Sequence, residues 1–113
     1  MSSPTLDTST PITSARALEL AREYVGQVAK GRDLVVREDR TVERSFGWVF
    51  FYAARLYLET QDYRYLLPGA APIVIHRADG SRALLPTSIP SSRAIEIYEQ
   101  RWRDAQTMTS ASG

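Results

Sequence analysis

The chain has 113 residues, of which 43% are hydrophobic and 24% charged, and its formal net charge is +1. This length suits one domain with its own core, and the composition is ordinary for a soluble globular chain. The absence of cysteine excludes disulfides, thiol catalysis and thiolate metal sites.

The two ends of the chain differ in composition from its middle. Residues 1–12 are rich in Ser, Thr and Pro, and residues 107–113 have the sequence Thr-Met-Thr-Ser-Ala-Ser-Gly. We therefore expect disordered or loosely attached tails on either side of a single domain at residues 13–106.

The first segment has no basic residue and no apolar stretch like that of a secretory signal. No apolar run approaches the ~18 residues of a membrane span. We expect a cytoplasmic protein with no membrane partner.

A helix is predicted at the start of the domain. Thr13 or Ser14 can cap its free amide groups, and Gly31 is a candidate for its C-terminal stop. Between them the apolar residues follow the three- and four-residue spacing of one helix face. These residues are Ala17, Leu18, Ala21, Tyr24, Val25 and Val28.

The segment 46–52 is the most informative of the chain, because it holds five aromatic residues and one glycine. In a strand, alternation would place Phe46, Trp48, Phe50 and Tyr52 on one face and further apolar residues on the other. A strand that is apolar on both faces is normally covered on both sides. We predict one strand from about residue 42 to residue 52 or 53, paired in a hairpin with a short strand at 34–36.

The second half of the chain predicts a second hairpin and a last helix. Residues 53–62 fit a short helix or a strand equally well. Strands are expected at 73–75 and 82–86, joined by the turn signal Asp79-Gly80. A helix follows from Ser91. The order α-β-β-(short α)-β-β-α predicts an α+β domain, in which the N- and C-terminal helices pack on a four-stranded antiparallel sheet of two hairpins. The expected structural core includes Trp48, Phe50, Tyr52, Tyr98 and Trp102.

No segment supplies recognisable catalytic chemistry. His76 is the only histidine, and no serine lies in a nucleophile-elbow sequence. Phosphate-binding glycine patterns and the spacing of a calcium loop are also absent from the sequence. We therefore expect no enzyme, no catalytic residue, no metal and no cofactor, and His76 is expected to be a surface or interstrand histidine.

Aromatic residues alternate with arginines between the second and third predicted strands. Arg55, Tyr57, Tyr63, Arg64 and Tyr65 could stack on bases, anchor a protein interface, or cap the core with their hydroxyl groups in water. Packing is favoured over a protein interface, and both are favoured over nucleic acid, because no basic stretch dominates the chain. If the chain binds a protein partner, these five residues are the expected contacts.

Several motifs in order resemble the immunity protein 35 family, also described as YrhB-like. They are Gly47-Trp48-Val49-Phe50-Phe51-Tyr52, Tyr57-Leu58-Glu59-Thr60, Leu67-Pro68-Gly69-Ala70-Ala71-Pro72-Ile73-Val74-Ile75 and Asp79-Gly80. The resemblance covers about residues 15–100. Ala70 stands where the family generally has asparagine, and Gln61 stands where a glycine is common.

The resemblance implies a small bacterial protein of a polymorphic-toxin system. Its role would be to bind and neutralise a cognate toxin without any enzymatic activity. Some relatives are described as chaperone-like, so the alternative is an accessory protein that binds client or partner proteins. Neither the toxin nor the oligomeric state follows from the sequence.

Overall fold

The computed structural model describes residues 11–66 and 70–112, with side chains described as far as Gln106. Its elements are α1 (Ser14–Ala29), β1 (Leu34–Val36), a 3₁₀ turn (Glu38–Arg40), β2 (Val42–Arg44), β3 (Gly47–Phe50), β4 (Tyr52–Ala54), α2 (Arg55–Thr60), a second 3₁₀ turn (Tyr63–Tyr65), β5 (Ile73–His76), β6 (Arg82–Leu84) and α3 (Ser91–Ser112). This order, with antiparallel sheets between an N-terminal and a C-terminal helix, confirms the α+β class.

Helix α1 begins and ends at the predicted signals. The backbone N–H of Arg16 donates to Thr13 Oγ1 at 3.1 Å, which satisfies one of the free amides of the first turn. At the other end Lys30 and Gly31 adopt left-handed φ angles of 48° and 88°, and the helix stops. The residues buried along it, Ala17, Ala21 and Val25, recur every four positions. The predicted apolar stripe is therefore the face that packs on the sheet.

The main sheet has four antiparallel strands in the order β2-β3-β5-β6. Strands β2 and β3 form the first hairpin, with Arg44 opposite Gly47, and β5 and β6 form the second. The two hairpins meet where β3 pairs with β5. Strand β1 lies outside this sheet, because it pairs with β4 in a separate two-stranded sheet, with Val36 opposite Tyr52.

The predicted single strand from 42 to 53 is wrong, because the chain reverses at Ser45 and Phe46. This tight turn divides the segment into β2 and β3, and β4 then leaves the main sheet after Phe51. Alternation does not continue through a turn, so Phe46 packs in a different cluster from Trp48 and Phe50. The expectation that Phe46 shares their face is wrong for the same reason.

The core lies on both faces of the main sheet. On the α1 side the buried residues are Ala17, Ala21, Val25, Trp48, Phe50, Ile73 and Ile75. On the α3 side they are Phe46, Val49, Val74, Leu85, Ala94 and Ile95. Alternation along β3 and β5 divides their side chains between the two clusters. Both central strands are therefore covered by helix on either side, as their doubly apolar sequence requires.

Parts of the two predicted tails belong to the described structure. Ile12 donates its backbone N–H to the carbonyl oxygen of Arg77 at 2.9 Å and packs against the α1-side cluster. Residues 1–10 lie outside the described residues. At the other end the backbone of α3 continues to Ser112, since no proline or glycine interrupts the sequence from 91 to 112. Gly113 and the side chains of 107–112 are not described.

Candidate protein-binding surface

The arginine- and aromatic-rich segment between β4 and β5 folds as two short turns of helix. Helix α2 ends at Gln61, whose φ of 57° is left-handed and whose backbone N–H donates to the Tyr57 carbonyl at 2.7 Å. Asp62 then caps the 3₁₀ turn Tyr63–Tyr65, because its Oδ1 accepts the backbone N–H of Arg64 at 2.9 Å. The four consecutive residues that follow these two caps, 63–66, are all exposed.

Asp62 also fixes the side chain of Arg64. Its Oδ2 accepts from Arg64 Nη2 at 2.7 Å and from Nε at 3.0 Å. These side-chain hydrogen bonds, and then the backbone one, hold the pKa of Asp62 below its ordinary value, and the pKa of Arg64 is raised in turn. The Arg64 side chain stays 80% exposed, so it is held in place while it remains accessible.

Exposed apolar side chains concentrate in this segment. Among the described residues, five large apolar or aromatic side chains are exposed. Four of them are Leu56 (49%), Tyr63 (80%), Tyr65 (36%) and Leu66 (50%). The fifth, Leu84, lies on the edge strand β6. Scattered exposed apolar residues are normal, but a contiguous group of this kind is typical of an interaction surface.

A groove of about 410 Å³ runs beside these side chains. Its apolar part is formed by Ala54, Leu56, Tyr65 and Leu66, and its polar part by Arg32, Asp33 and Arg64. The Asp33 carboxylate already has an ion-pair partner, because its Oδ2 accepts from Arg55 Nε at 2.8 Å. The groove thus combines apolar side chains with two exposed arginines. We call this groove, with the exposed Tyr63 next to it in the chain, the aromatic surface.

The structure brings together only part of the predicted contact set. Arg64 and Tyr65 line the aromatic surface, and Tyr63 projects beside them. Tyr57 is half-buried in α2. Arg55 lines a neighbouring groove, against α1 and β1, and is paired with Asp33.

Five residues that line this groove are not among the predicted contacts, namely Arg32, Asp33, Ala54, Leu56 and Leu66. Leu56 and Leu66 lie within the predicted segment, and their apolar character beside arginines was the available signal. Arg32 comes from the loop before β1. It is brought there by the β1–β4 pairing, which continues in the backbone hydrogen bond from Arg55 N–H to the Asp33 carbonyl at 2.9 Å. No local signal in the sequence indicates that contact.

The five residues expected in the core lie on the two faces of the main sheet. Trp48 and Phe50 are buried, with 4% and 2% exposure, and Tyr52 is half-buried against the same cluster. The guanidinium of Arg77 covers the Trp48 ring at 4.5 Å. Tyr98 and Trp102 are half-buried and pack on the α3-side cluster, where both approach Phe46 edge to face.

His76 takes part in the same aromatic contacts. It ends β5, half-buried, and its Nε2 forms a hydrogen bond of 2.5 Å with the Tyr98 hydroxyl. Its ring also lies 6.1 Å from that of Phe46. These contacts suit a residue that joins β5 to α3. Within residues 11–66 and 70–112, no group of three or more His, Cys, Asp or Glu side chains is arranged to hold a metal ion.

The structure is that of a small α+β protein in which four of the five exposed large apolar side chains of the described residues belong to the aromatic surface. Residues 15–105 match the model of the family "Immunity protein 35", and the chain therefore belongs to that family. It is 38% identical over 55 residues to "Uncharacterized protein YrhB" of Escherichia coli (strain K12). That alignment covers 49% of this chain and 58% of the relative's length. No solved structure matches the chain. Among the described residues no helix is long and apolar enough to cross a membrane.

Proposed function

We propose that this protein is an immunity protein that neutralises a cognate bacterial toxin by direct protein–protein binding, with the aromatic surface as its contact. Membership of the immunity protein 35 family supports the role. The single observation that supports the location is the concentration of exposed apolar and aromatic side chains between residues 56 and 66. The proposal includes no catalysis, and the cytoplasm remains the compartment that we predict.

The chemistry of the aromatic surface fits the residues that dominate protein interfaces. A specific interface buries about 800 Å² on each partner, and a few Tyr, Trp and Arg side chains contribute most of its binding energy. Tyr63 is 80% exposed, so a partner could bury most of its ring. Arg64 is already held by Asp62, so less side-chain entropy is lost when a partner orders it. The groove beside them would take an apolar side chain of the toxin.

Two alanine substitutions test this surface. The partner is the toxin encoded beside this gene, identified by capture on the tagged protein and mass spectrometry. Tyr63→Ala and Arg64→Ala should each weaken toxin binding about tenfold, since truncation of an interface anchor costs more than about 1 kcal/mol. Isothermal titration calorimetry measures the affinity, and thermal unfolding shows that the fold is unchanged.

The matched control is Arg101→Ala, which removes an exposed arginine of α3 away from the aromatic surface. It should bind the toxin as the wild type does. Unchanged affinity in both surface variants would contradict the proposed contact. A large fall in melting temperature would instead show that Tyr63 or Arg64 serves packing.

The exposure of Leu56 and Leu66 favours one other function, a chaperone-like protein that holds unfolded clients. Such a protein would suppress the aggregation of unrelated proteins at near-stoichiometric ratios. Leu66→Ala would then reduce that suppression, and capture would return a mixture of clients. A single stoichiometric partner and no effect on aggregation would exclude this function.

A further inference from the structure

A second groove, of about 340 Å³, lies on the α3 side of the main sheet. Its apolar wall consists of Val42, Phe51 and Ile95. Three arginines line the same space, namely Arg37, Arg40 and Arg44. The first residues of α3, Ser91 and Ser92, complete it. We call this space the basic groove.

Two of the three guanidinium groups have no anionic partner within the part of the chain that the structure describes. No hydrogen bond or ion pair between described residues reaches the side chain of Arg37 or Arg40. Arg44 has only a long contact, from its Nε to Glu99 Oε1 at 3.8 Å. Glu99 is itself held more closely by Ser45, whose hydroxyl donates to it at 2.7 Å. The groove therefore has positive charge that the fold leaves uncompensated.

The neighbouring carboxylates are used elsewhere or lie outside the groove. Glu38 pairs with Arg22 of α1, and Glu43 pairs with Arg77 at 3.1 Å. Asp39 is exposed in the 3₁₀ turn and does not line the groove. The start of α3 adds a partial positive charge, because the first amides of a helix have no intrahelical acceptor. An anion from another molecule is the natural complement.

From this arrangement we infer that the basic groove is a second contact site, which takes an acidic segment of the protein partner. Glu or Asp side chains of that segment would pair with Arg37 and Arg40, since the planar guanidinium matches a carboxylate through two parallel hydrogen bonds. An adjacent apolar side chain would pack against Phe51. This inference rests on the proposed function, because the acidic segment would be a further part of the toxin.

The apolar wall favours a polypeptide over a phosphate or a nucleic acid. A phosphate would use only the arginines and leave Val42, Phe51 and Ile95 without a partner. A peptide that combines acidic and apolar side chains satisfies both halves of the groove. Charge pairs of this kind also steer association, so the toxin's on-rate should fall with ionic strength.

Nuclear magnetic resonance titration of the full chain tests the inference. The probe is a short peptide, blocked at both ends, that alternates Glu with Phe. We expect saturable shifts of the backbone amides of Phe51 and Ser92 and of the Nε–H signals of Arg37 and Arg40. A matched peptide with Gln in place of Glu should give no saturable shifts.

Arg37→Gln and Arg40→Gln should each weaken peptide binding by about fivefold, as expected for loss of a charge-assisted pair. Arg40 is exposed, so its variant keeps the test valid even if the half-buried Arg37 proves necessary for folding. Arg93→Gln is the matched control, because Arg93 lies in the first turn of α3 but pairs with Glu96 and does not line the groove. It should bind the peptide as the wild type does.

Several results would overturn the inference. They are equal binding of the Gln peptide, unchanged binding by Arg40→Gln, or shifts confined to other surfaces. Tighter saturation of the same signals by inorganic phosphate or by a short oligonucleotide would assign the groove to phosphate groups instead.

The inference and the proposed function fail separately. Toxin binding that depends on Arg64 but not on Arg40, with no response to the acidic peptide, would overturn the inference alone. Binding of the acidic peptide at the basic groove, with capture returning only a mixture of unrelated clients, would uphold the groove's preference and overturn the proposed function.

Discussion

At the scale of single residues, Gly47 determines how closely the two central strands approach. Its φ is 149°, a value that side-chain-bearing residues rarely adopt. A Cβ at this position would lie 2.1 Å from the carbonyl oxygen of Ile75 and 2.8 Å from the backbone nitrogen of Arg77. Both neighbours are backbone atoms of the paired strand and its continuation, so neither can rotate away. The glycine of the Gly-Trp motif is therefore required by sterics.

Gly47→Ala should lower the free energy of unfolding by more than about 3 kcal/mol, because it combines backbone strain with a clash against backbone. Urea unfolding followed by circular dichroism measures this change. The matched control is Gly26→Ala in α1, where a Cβ meets nothing within 4 Å. That change should stabilise the protein by about 0.5–1 kcal/mol. A Gly47→Ala protein as stable as the wild type would contradict the steric account.

The end of α2 is formed without a glycine. Gln61 adopts a left-handed φ of 57° there, a conformation that favours glycine. A helix stop of this kind would account for the glycine that the resemblance implies for other family members at this position. Here the Gln61 side chain contributes a compensating contact, because its Nε2 donates to the Leu58 carbonyl at 3.1 Å.

At the scale of elements, the contact between Tyr98 and His76 joins α3 to the end of β5. Burial raises the pKa of the Tyr98 phenol above its ordinary value of about 10. Above that pH the unfolded chain loses the phenolic proton while the folded chain retains it. The unfolded state then binds fewer protons, so the free energy of unfolding falls as pH rises through this window. Below about pH 10 both the folded and the unfolded chain keep this proton, so the contribution of the buried Tyr98 phenol to the free energy of unfolding is fully present.

Tyr98→Phe should reduce this alkaline loss of stability, as measured by urea unfolding at about pH 8 and about pH 10.5. The free energy of unfolding of the variant should still fall somewhat as pH rises, because the pKa of Tyr52 is also raised, first by burial and then by the nearby Tyr24. At neutral pH the variant should be about 0.5–1.5 kcal/mol less stable, since the hydrogen bond with His76 is lost. The control is Tyr63→Phe, at a side chain that is 80% exposed. Identical pH profiles for Tyr98→Phe and the wild type would contradict the argument.

Elements with local signals were predictable from the sequence, and those set by distant contacts were not. The α1 cap and its apolar stripe are local, and the structure has them where they were predicted. The turn at Ser45 and Phe46 carries no Asn-Gly or Asp-Gly signal, and an aromatic residue occupies it, so the pattern indicated one long strand. The pairing of β1 with β4 encloses that hairpin and has no signal within either strand.

The same distinction applies to the two grooves. Arg64 and Tyr65 are close in sequence, so composition alone indicated the segment that carries the aromatic surface. The basic groove combines Arg37 with Phe51 and Ser92, which come from separate elements. Only the fold brings these residues together, and sequence spacing could not indicate the groove.

At the scale of the whole molecule, one pair of strands connects the two clusters of the core. Strand β3 contributes Trp48 and Phe50 to the α1 side and Val49 to the α3 side. Strand β5 divides its isoleucines and Val74 in the same way. Because neither cluster can lose these strands without exposing the other, the described domain should unfold as one cooperative unit.

The two tryptophans report on the two clusters separately, since Trp48 lies on the α1 side and Trp102 on the α3 side. Trp102→Phe leaves Trp48 as the only tryptophan, and Trp48→Phe leaves Trp102. In each variant, the urea unfolding transition measured by tryptophan fluorescence should coincide with the one measured by circular dichroism. The midpoints of the two variants will differ from each other. The Trp48→Phe midpoint should be the lower one, because Trp48 is 4% exposed and Trp102 only half-buried. An earlier fluorescence transition in the variant that retains Trp102 would show that α3 detaches before the sheet unfolds. It would also mean that the basic groove, which α3 helps to form, opens independently of the aromatic surface.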